Sequence, residues 1–216
     1  LVELDLEDKL CLEKIAEDYE DAQSIAHWLT DVCLNLYDER PGDDTTVLAI
    51  KARYPKKATI VVGPPEDPSK DAYISKELFK CKGKKVVCGG TTSKIVAREM
   101  GKDLKIELNS LDSKVPPCGQ IEGVDLVTEG VLTLSRSLEI LKQSSSLEDI
   151  EGGDGASDLA KILLGTDQIR FLVGKAINPV YQNPDLPIDF GFKMRLVESL
   201  KKILSDLGKK IQVEYH

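Results

Sequence analysis

Apolar residues recur along this chain in short runs of four or five, separated by longer stretches with helical spacing. That alternation predicts strands interleaved with helices. Over residues 21–36, Ile25, Leu29, Val32 and Leu36 fall on one helical face, with Trp28 and Cys33 beside them. The helix ends near Tyr37. Pro41 and Gly42 then break the chain, and Val47, Leu48 and Ile50 read as a buried strand. Residues 53–57 form a short linker.

Beyond the linker the pattern becomes regular. Residues 59–62 predict a strand stopped by Gly63-Pro64-Pro65, and residues 67–80 a helix with Tyr73, Ile74, Leu78 and Phe79 inward. A second strand spans 84–88. Gly89-Gly90 turns it into a helix over 93–100, with Gly101 as its stop. Strands follow at 104–108 and 124–127, and the latter runs through Thr128-Glu129-Gly130 into a helix carrying Val131, Leu134, Leu138 and Leu141. The Gly-rich tract 144–155 reads as a surface loop. A helix at 159–164, a strand at 169–173, a long amphipathic helix at 192–207 and a strand at 211–215 complete the chain. Strands alternating with helices over residues 55–216 predict an α/β fold with a mostly parallel sheet and helices on both faces.

Composition narrows the function classes. The 216 residues are 41% hydrophobic and 31% charged, an ordinary globular balance. With 37 acidic against 29 basic residues the net charge is −8, and no basic stripe is interleaved with aromatics, which argues against nucleic acid as a partner. No apolar run is long enough to span a bilayer, so no membrane partner is expected. Cys11, Cys33, Cys81, Cys88 and Cys118 are scattered, without a C-x-x-C, and the histidines are only His27 and His216. A structural zinc site is therefore not expected, and the cysteine usage fits a reducing, cytoplasmic setting.

The sharpest chemical signal is Arg40-Pro41-Gly42-Asp43-Asp44-Thr45-Thr46-Val47. It puts paired carboxylates at the mouth of a strand, where their oxygens suit a hard cation. An Asp-Asp pair is also ordinary turn chemistry. A helix, a turn and this D-D-x-T-V sequence in that order resemble the end of the catalytic domain of metal-dependent Ser/Thr protein phosphatases. The nearest branch is the one typified by stage II sporulation protein E. The resemblance covers about residues 1–54. It implies that they are the last helix and strand of an α/β-sandwich phosphatase domain. It also implies that Asp43 is a ligand of the catalytic Mn²⁺ or Mg²⁺, with Asp44 supporting the turn.

The family's other ligands come from upstream Asp-Gly motifs, which this chain, opening on Leu1, does not carry. One carboxylate does not hold Mg²⁺ usefully. The expectation is therefore the tail of a bacterial signalling phosphatase acting on a phosphoprotein, inactive alone. Residues 55–216 would be an appended regulatory or ligand-sensing domain. The alternative is a stand-alone α/β module that binds a small ligand or a protein, without phosphatase activity.

In an open α/β sheet, ligands bind at the carboxyl ends of the strands. Four such ends stand out: Gly63-Pro64-Pro65, Cys88 to Ser93, Thr128-Glu129-Gly130, and Gly174-Lys175 with Asn178. Gly89, Gly90, Thr91 and Thr92 form the strongest of these. The two glycines permit close backbone approach, and hydroxyls open a helix whose free N–H groups favour an anion. The same residues also make a competent N-capped turn. G-G-T-T is neither G-x-G-x-x-G nor a P-loop, so no dinucleotide or nucleoside triphosphate is implied. Binding a small anion there would need help from Lys175 or Thr128. Residues 174–187, with three prolines, read either as a loop over that end of the sheet or as a docking surface. His27 and Ser144-Ser145-Ser146 suggest no triad.

Overall fold

A computed structural model describes residues 21–36, 44, 46–106, 119–144, 146–176, 182–183, 186–187 and 190–216. The chain divides into two compact units, Leu1–Tyr54 and Pro55–His216.

In the first unit, helix α1 spans Ala22–Leu36. Asp21 opens it: its carboxylate accepts the Ser24 amide and the Ser24 hydroxyl, each at 2.8 Å. Ile25, Trp28, Leu29, Val32 and Cys33 are half-buried, whereas His27, Thr30 and Asp31 are exposed, so the amphipathic face lies where its spacing puts it. The strand expected at 47–50 is not formed. Residues 46–56 carry no regular structure, and Leu48 and Ile50 are 81% and 84% exposed. A strand needs a neighbour to take its N–H and C=O groups and cover its apolar face. No described residue of this unit supplies one.

The second unit holds a seven-stranded sheet. Its elements in chain order begin with β1 (Lys57–Val62), α2 (Asp71–Lys80), β2 (Lys84–Cys88), α3 (Gly90–Met100), β3 (Leu104–Ile106), β4 (Gly119–Ile121) and β5 (Leu126–Thr128). Then come α4 (Val131–Gln143), α5 (Gly155–Leu164), β6 (Gln168–Val173), β7 (Gln182–Asn183), β8 (Leu186–Pro187), α6 (Phe190–Asp206) and β9 (Lys210–Tyr215). The sheet order is β3-β4-β5-β2-β1-β6-β9. Strands β5, β2, β1, β6 and β9 run parallel; β3, at one edge, is antiparallel to β4, and β4 is antiparallel to β5. Strands β7 and β8 pair only with each other, within the segment expected as a loop.

The two faces of the sheet are covered by different helices. Ile60 and Val62 of β1, with Phe171 and Val173 of β6, join a cluster with residues of α4, α5 and α6. Val61 and Leu172, which alternate with them, pack with Ile74 and Leu78 of α2 and Val96 of α3. Residues 60–62, 86–88 and 171–173 read as continuous apolar runs because both faces of the strands are buried there. Asp154 caps α5, its carboxylate accepting the Ala156 and Ser157 amides at 3.0 and 2.8 Å.

Two details differ from the sequence reading. Tyr73, expected inward, is 47% exposed, because α2 begins at Asp71 and buries Asp71, Ile74, Ser75 and Leu78. Strand β4 has no counterpart in the sequence pattern, since of Gly119, Gln120 and Ile121 only Ile121 is both apolar and buried.

One polar network ties α2 to the sheet. Arg170 on β6 donates two bonds to Glu214 on β9, at 2.6 and 2.7 Å, and a third to Glu77 on α2 at 2.8 Å. Bonds from Lys80 and Arg170 hold the Glu77 carboxyl below its usual range, and the Arg170 guanidinium does the same for Glu214. A depressed folded-state pKa contributes stability that is present above the unfolded carboxylate pKa and lost as pH falls through the folded value. Arg170→Met should therefore lower the unfolding free energy at pH 7 by about 1–3 kcal/mol. It should also flatten the loss of stability below about pH 4.5. Denaturant titrations at pH 7 and pH 3.5 check both. An unchanged acid limb in the variant would remove the network from the account.

Candidate functional site

The five central strands are parallel, so their carboxyl ends share one edge of the sheet. In order along it lie Thr128-Glu129-Gly130, Cys88-Gly89-Gly90, Val62-Gly63-Pro64, Val173-Gly174-Lys175 and Tyr215-His216. Four strand ends picked from sequence thus fall side by side; Asn178 lies outside the described residues. The strand order reverses between β1 and β6: the chain leaves β1 toward β2 on one side, while β6 and β9 build the other. That reversal is the topological switch point, where doubly wound sheets open a crevice.

Gly89, Gly90, Thr91 and Thr92 do form a strand-to-helix turn, with a geometry unlike the one expected. Helix α3 begins at Gly90, three residues before the expected start, and no hydroxyl caps it. Gly89 is the N-cap, at φ 120° and ψ 130°, a conformation that side chains rarely adopt. Its amide donates to the Thr128 carbonyl at 2.8 Å, and its carbonyl accepts the Ser93 amide at 2.9 Å and the Ser93 hydroxyl at 2.8 Å. The glycine pair lets the helix start at once, so the hydroxyls fall inside its first turn. Thr91 is exposed. Thr92 is 2% exposed, and its Oγ1 has no hydrogen-bond partner among the described residues.

The amides of Gly90, Thr91 and Thr92 likewise have no partner among the described residues. Three N–H groups at the positive end of a helix dipole are what an anion requires. The Glu129 carboxylate accepts the Gly130 amide at 3.1 Å, and its Oε1 stands 3.9 Å from where a Cβ on Gly90 would sit. An anion entering the turn meets this acid at its rim.

The expected helpers divide. Thr128 pairs with Cys88 and so lies beside the turn, yet its hydroxyl donates to the Glu129 carbonyl at 2.8 Å. Lys175 follows β6, so β1 lies between it and the turn, roughly 10 Å away at two strand spacings. The structure does not bring it to Gly89.

Cys88, directly before the turn, is fully buried, and burial pushes its thiol up to about 12, against an opposing bond from Thr128. It is therefore a packing residue and no nucleophile. Iodoacetamide at pH 8 should leave Cys88 unmodified in the folded protein while it labels the half-buried Cys81, as peptide mass spectrometry would reveal. Rapid native labelling of Cys88 would contradict its burial.

One residue at the edge escaped sequence reasoning. Lys193, in the first turn of α6, donates through Nζ to the Gly174 carbonyl and, at 3.3 Å, to that of Ala176. Burial pulls its pKa down. Nothing in the local pattern marks it, because its importance comes from the packing of α6 against strand ends distant in sequence.

Asp43, the expected metal ligand, lies outside the described residues, and Asp44 is exposed. Among the described residues no group of three or more His, Cys, Asp or Glu side chains is placed to hold a metal ion. His27 is exposed on α1. No described helix is long and apolar enough to cross a membrane. No protein-family model matches this chain, and no curated protein matches it in sequence.

Proposed function

We propose that residues 55–216 are a ligand-sensing α/β domain for a small anionic molecule, appended to a Mn²⁺- or Mg²⁺-dependent serine/threonine protein phosphatase of the sporulation type whose last segment is residues 1–54. The observation that carries the sensing half is the set of amides at Gly90, Thr91 and Thr92 that have no partner among the described residues, beside the switch point of a doubly wound sheet. The phosphatase half rests on the helix α1 and the Asp43-Asp44-Thr45-Thr46-Val47 sequence that follows it. In such a phosphatase, paired metal ions supply an activated water for attack on a phosphoserine or phosphothreonine. Asp43 would contribute one of their ligands, and residues upstream of Leu1 the others.

Two assays test the phosphatase half. The 216-residue chain with Mn²⁺ should hydrolyse p-nitrophenyl phosphate no faster than a buffer blank. In a longer protein that carries the upstream Asp-Gly motifs, Asp43→Asn should lower turnover sharply and raise the Mn²⁺ requirement. Unchanged activity and Mn²⁺ dependence in that variant would favour the alternative, a binding module unrelated to phosphatases.

A further inference from the structure

Beside its donors, the turn at the start of α3 holds one acceptor. Apart from its own helix and chain neighbours, a Cβ on Gly90 would meet a single atom within 4 Å among the described residues, the Glu129 Oε1 at 3.9 Å. Gly90 and Thr91 are exposed, so the space in front of the helix is open on that side. Glu129 Oε2 accepts the Gly130 amide, and Oε1 has no hydrogen bond among the described residues. Thr92 adds an independent observation. It is 2% exposed, its Oγ1 has no partner among the described residues, and that oxygen stands 3.0 Å from where a Cβ on Gly89 would sit. The hydroxyl is thus turned back toward the side-chain-free face of the glycine turn. A buried hydroxyl without a partner is destabilising, and a polar atom brought to the turn from outside would satisfy it.

We propose that this turn selects a tetrahedral oxyanion that carries a proton, inorganic phosphate or a singly protonated phosphate monoester, over sulfate and phosphodiesters. Glu129 accepts a hydrogen bond from the ligand's O–H, and Thr92 donates its hydroxyl to a ligand oxygen. The inference rests on reading the α3 turn as an anion site, and it names the ligand class which that site takes. Three amides and a hydroxyl can donate there, whereas an ionised carboxylate can only accept. A bare anion suits the donors and is repelled by Glu129. An oxyanion with a proton suits both, because its O–H makes a short charge-assisted bond to the carboxylate. A carboxylate ligand, ionised near neutral pH, offers no such proton.

The test uses the 216-residue chain in mildly alkaline buffer, with inorganic phosphate and sulfate as NMR titration probes. Both are tetrahedral dianions there, and only phosphate keeps a proton. Saturable shifts of the Gly90, Thr91 and Thr92 amides are expected with phosphate. Sulfate should bind about tenfold or more weakly, for want of a charge-assisted bond. Glu129→Gln offers an amide donor beside its acceptor, so sulfate should gain and the two affinities should come within about threefold. An acid that merely repels would raise both affinities by one factor in that variant, so an unchanged ratio would overturn the proposal. Thr92→Val should weaken phosphate about threefold or more and leave the melting temperature unchanged or higher, since a methyl of the same shape replaces an unpartnered hydroxyl. Undiminished phosphate affinity in Thr92→Val would overturn the part given to that hydroxyl. Among supporting results, methyl phosphate binding tighter than inorganic phosphate in mildly acidic buffer, where both carry a proton, assigns the ligand to a monoester, and weaker binding assigns it to phosphate itself. Two outcomes need no variant. Equal binding of phosphate and sulfate by the unmodified protein would overturn the selection and leave the anion site standing, whereas silence of all three amides with both probes would remove the site itself.

Discussion

Phe171→Ala should lower the unfolding free energy of the protein by about 3–5 kcal/mol. Phe171 is fully buried in the middle of β6, paired with Ile60 on one side and Val213 on the other, and it is the largest of the fully buried side chains among the described residues. Its ring joins the cluster formed with α4, α5 and α6. Removing it costs its transfer free energy plus that of a cavity ringed by strands whose ladder restrains collapse. Domains of this size hold only roughly 5–15 kcal/mol in total, so the melting temperature should fall by roughly 6–20 °C. Calorimetry and denaturant titration measure it. A loss under about 1 kcal/mol would mean that Phe171 is not at the centre of the core.

Gly174→Ala should be nearly as damaging, for the opposite reason. The added methyl would lie 1.9 Å from the Pro64 oxygen, 2.1 Å from the Pro64 carbonyl carbon and 2.5 Å from the Gly63 oxygen, all backbone atoms. No rotamer change relieves that overlap, so the ends of β1 and β6 must part. The Gly174 amide bond to Val62, 2.9 Å, and the Ala176 bond to Pro64, 3.2 Å, would be lost with the movement. About 3 kcal/mol or more is expected. The signature differs from that of Phe171→Ala: hydrogen-exchange protection should fall first at residues 62–64 and 173–176, with the helix cores retained. Native stability and protection in Gly174→Ala would show that the two strand ends do not approach so closely.

Much of this fold was legible in the sequence because parallel strands buried on both faces leave unbroken apolar runs. Residues 60–62, 86–88 and 171–173 are such runs, and the strands expected around them, 59–62, 84–88 and 169–173, each lie within two residues of a strand of the central sheet. The helices between them followed from apolar spacing. Strand β4 was not legible because Gly119-Gln120-Ile121 is three residues long and buries a single apolar side chain. Residues 47–50 fail in the other direction. Their pattern encodes a readiness to pair, but pairing also needs a neighbouring strand, and Leu48 and Ile50 stay exposed without one.

The candidate site was half legible. The four strand ends were readable as glycine-rich stops, and parallel topology then aligned them on one edge. The internal geometry of the turn was not readable. Capping propensity favours Thr and Ser, yet a glycine at φ 120° starts the helix earlier and draws those hydroxyls into the first turn. Thr128 and Lys175 looked equivalent as helpers in sequence, and only strand order separates the neighbour from the residue across β1. Lys193 was invisible, since a lysine early in an amphipathic helix reads as solvated until the fold lays it over Gly63 and Gly174.

The sensing claim turns most directly on the amides at the start of α3. Inorganic phosphate titrated into the 216-residue chain, followed by ¹⁵N-resolved NMR against a sodium chloride control, should move the resonances of Gly90, Thr91 and Thr92 along saturable curves in the millimolar range. That weak affinity rests on the three N–H donors, to which the exposed helix terminus adds only roughly 0.3–1 kcal/mol per charge. Resonances there that stay still at tens of millimolar phosphate, or that move equally with chloride, would make the glycine turn purely structural and contradict the proposed sensing role.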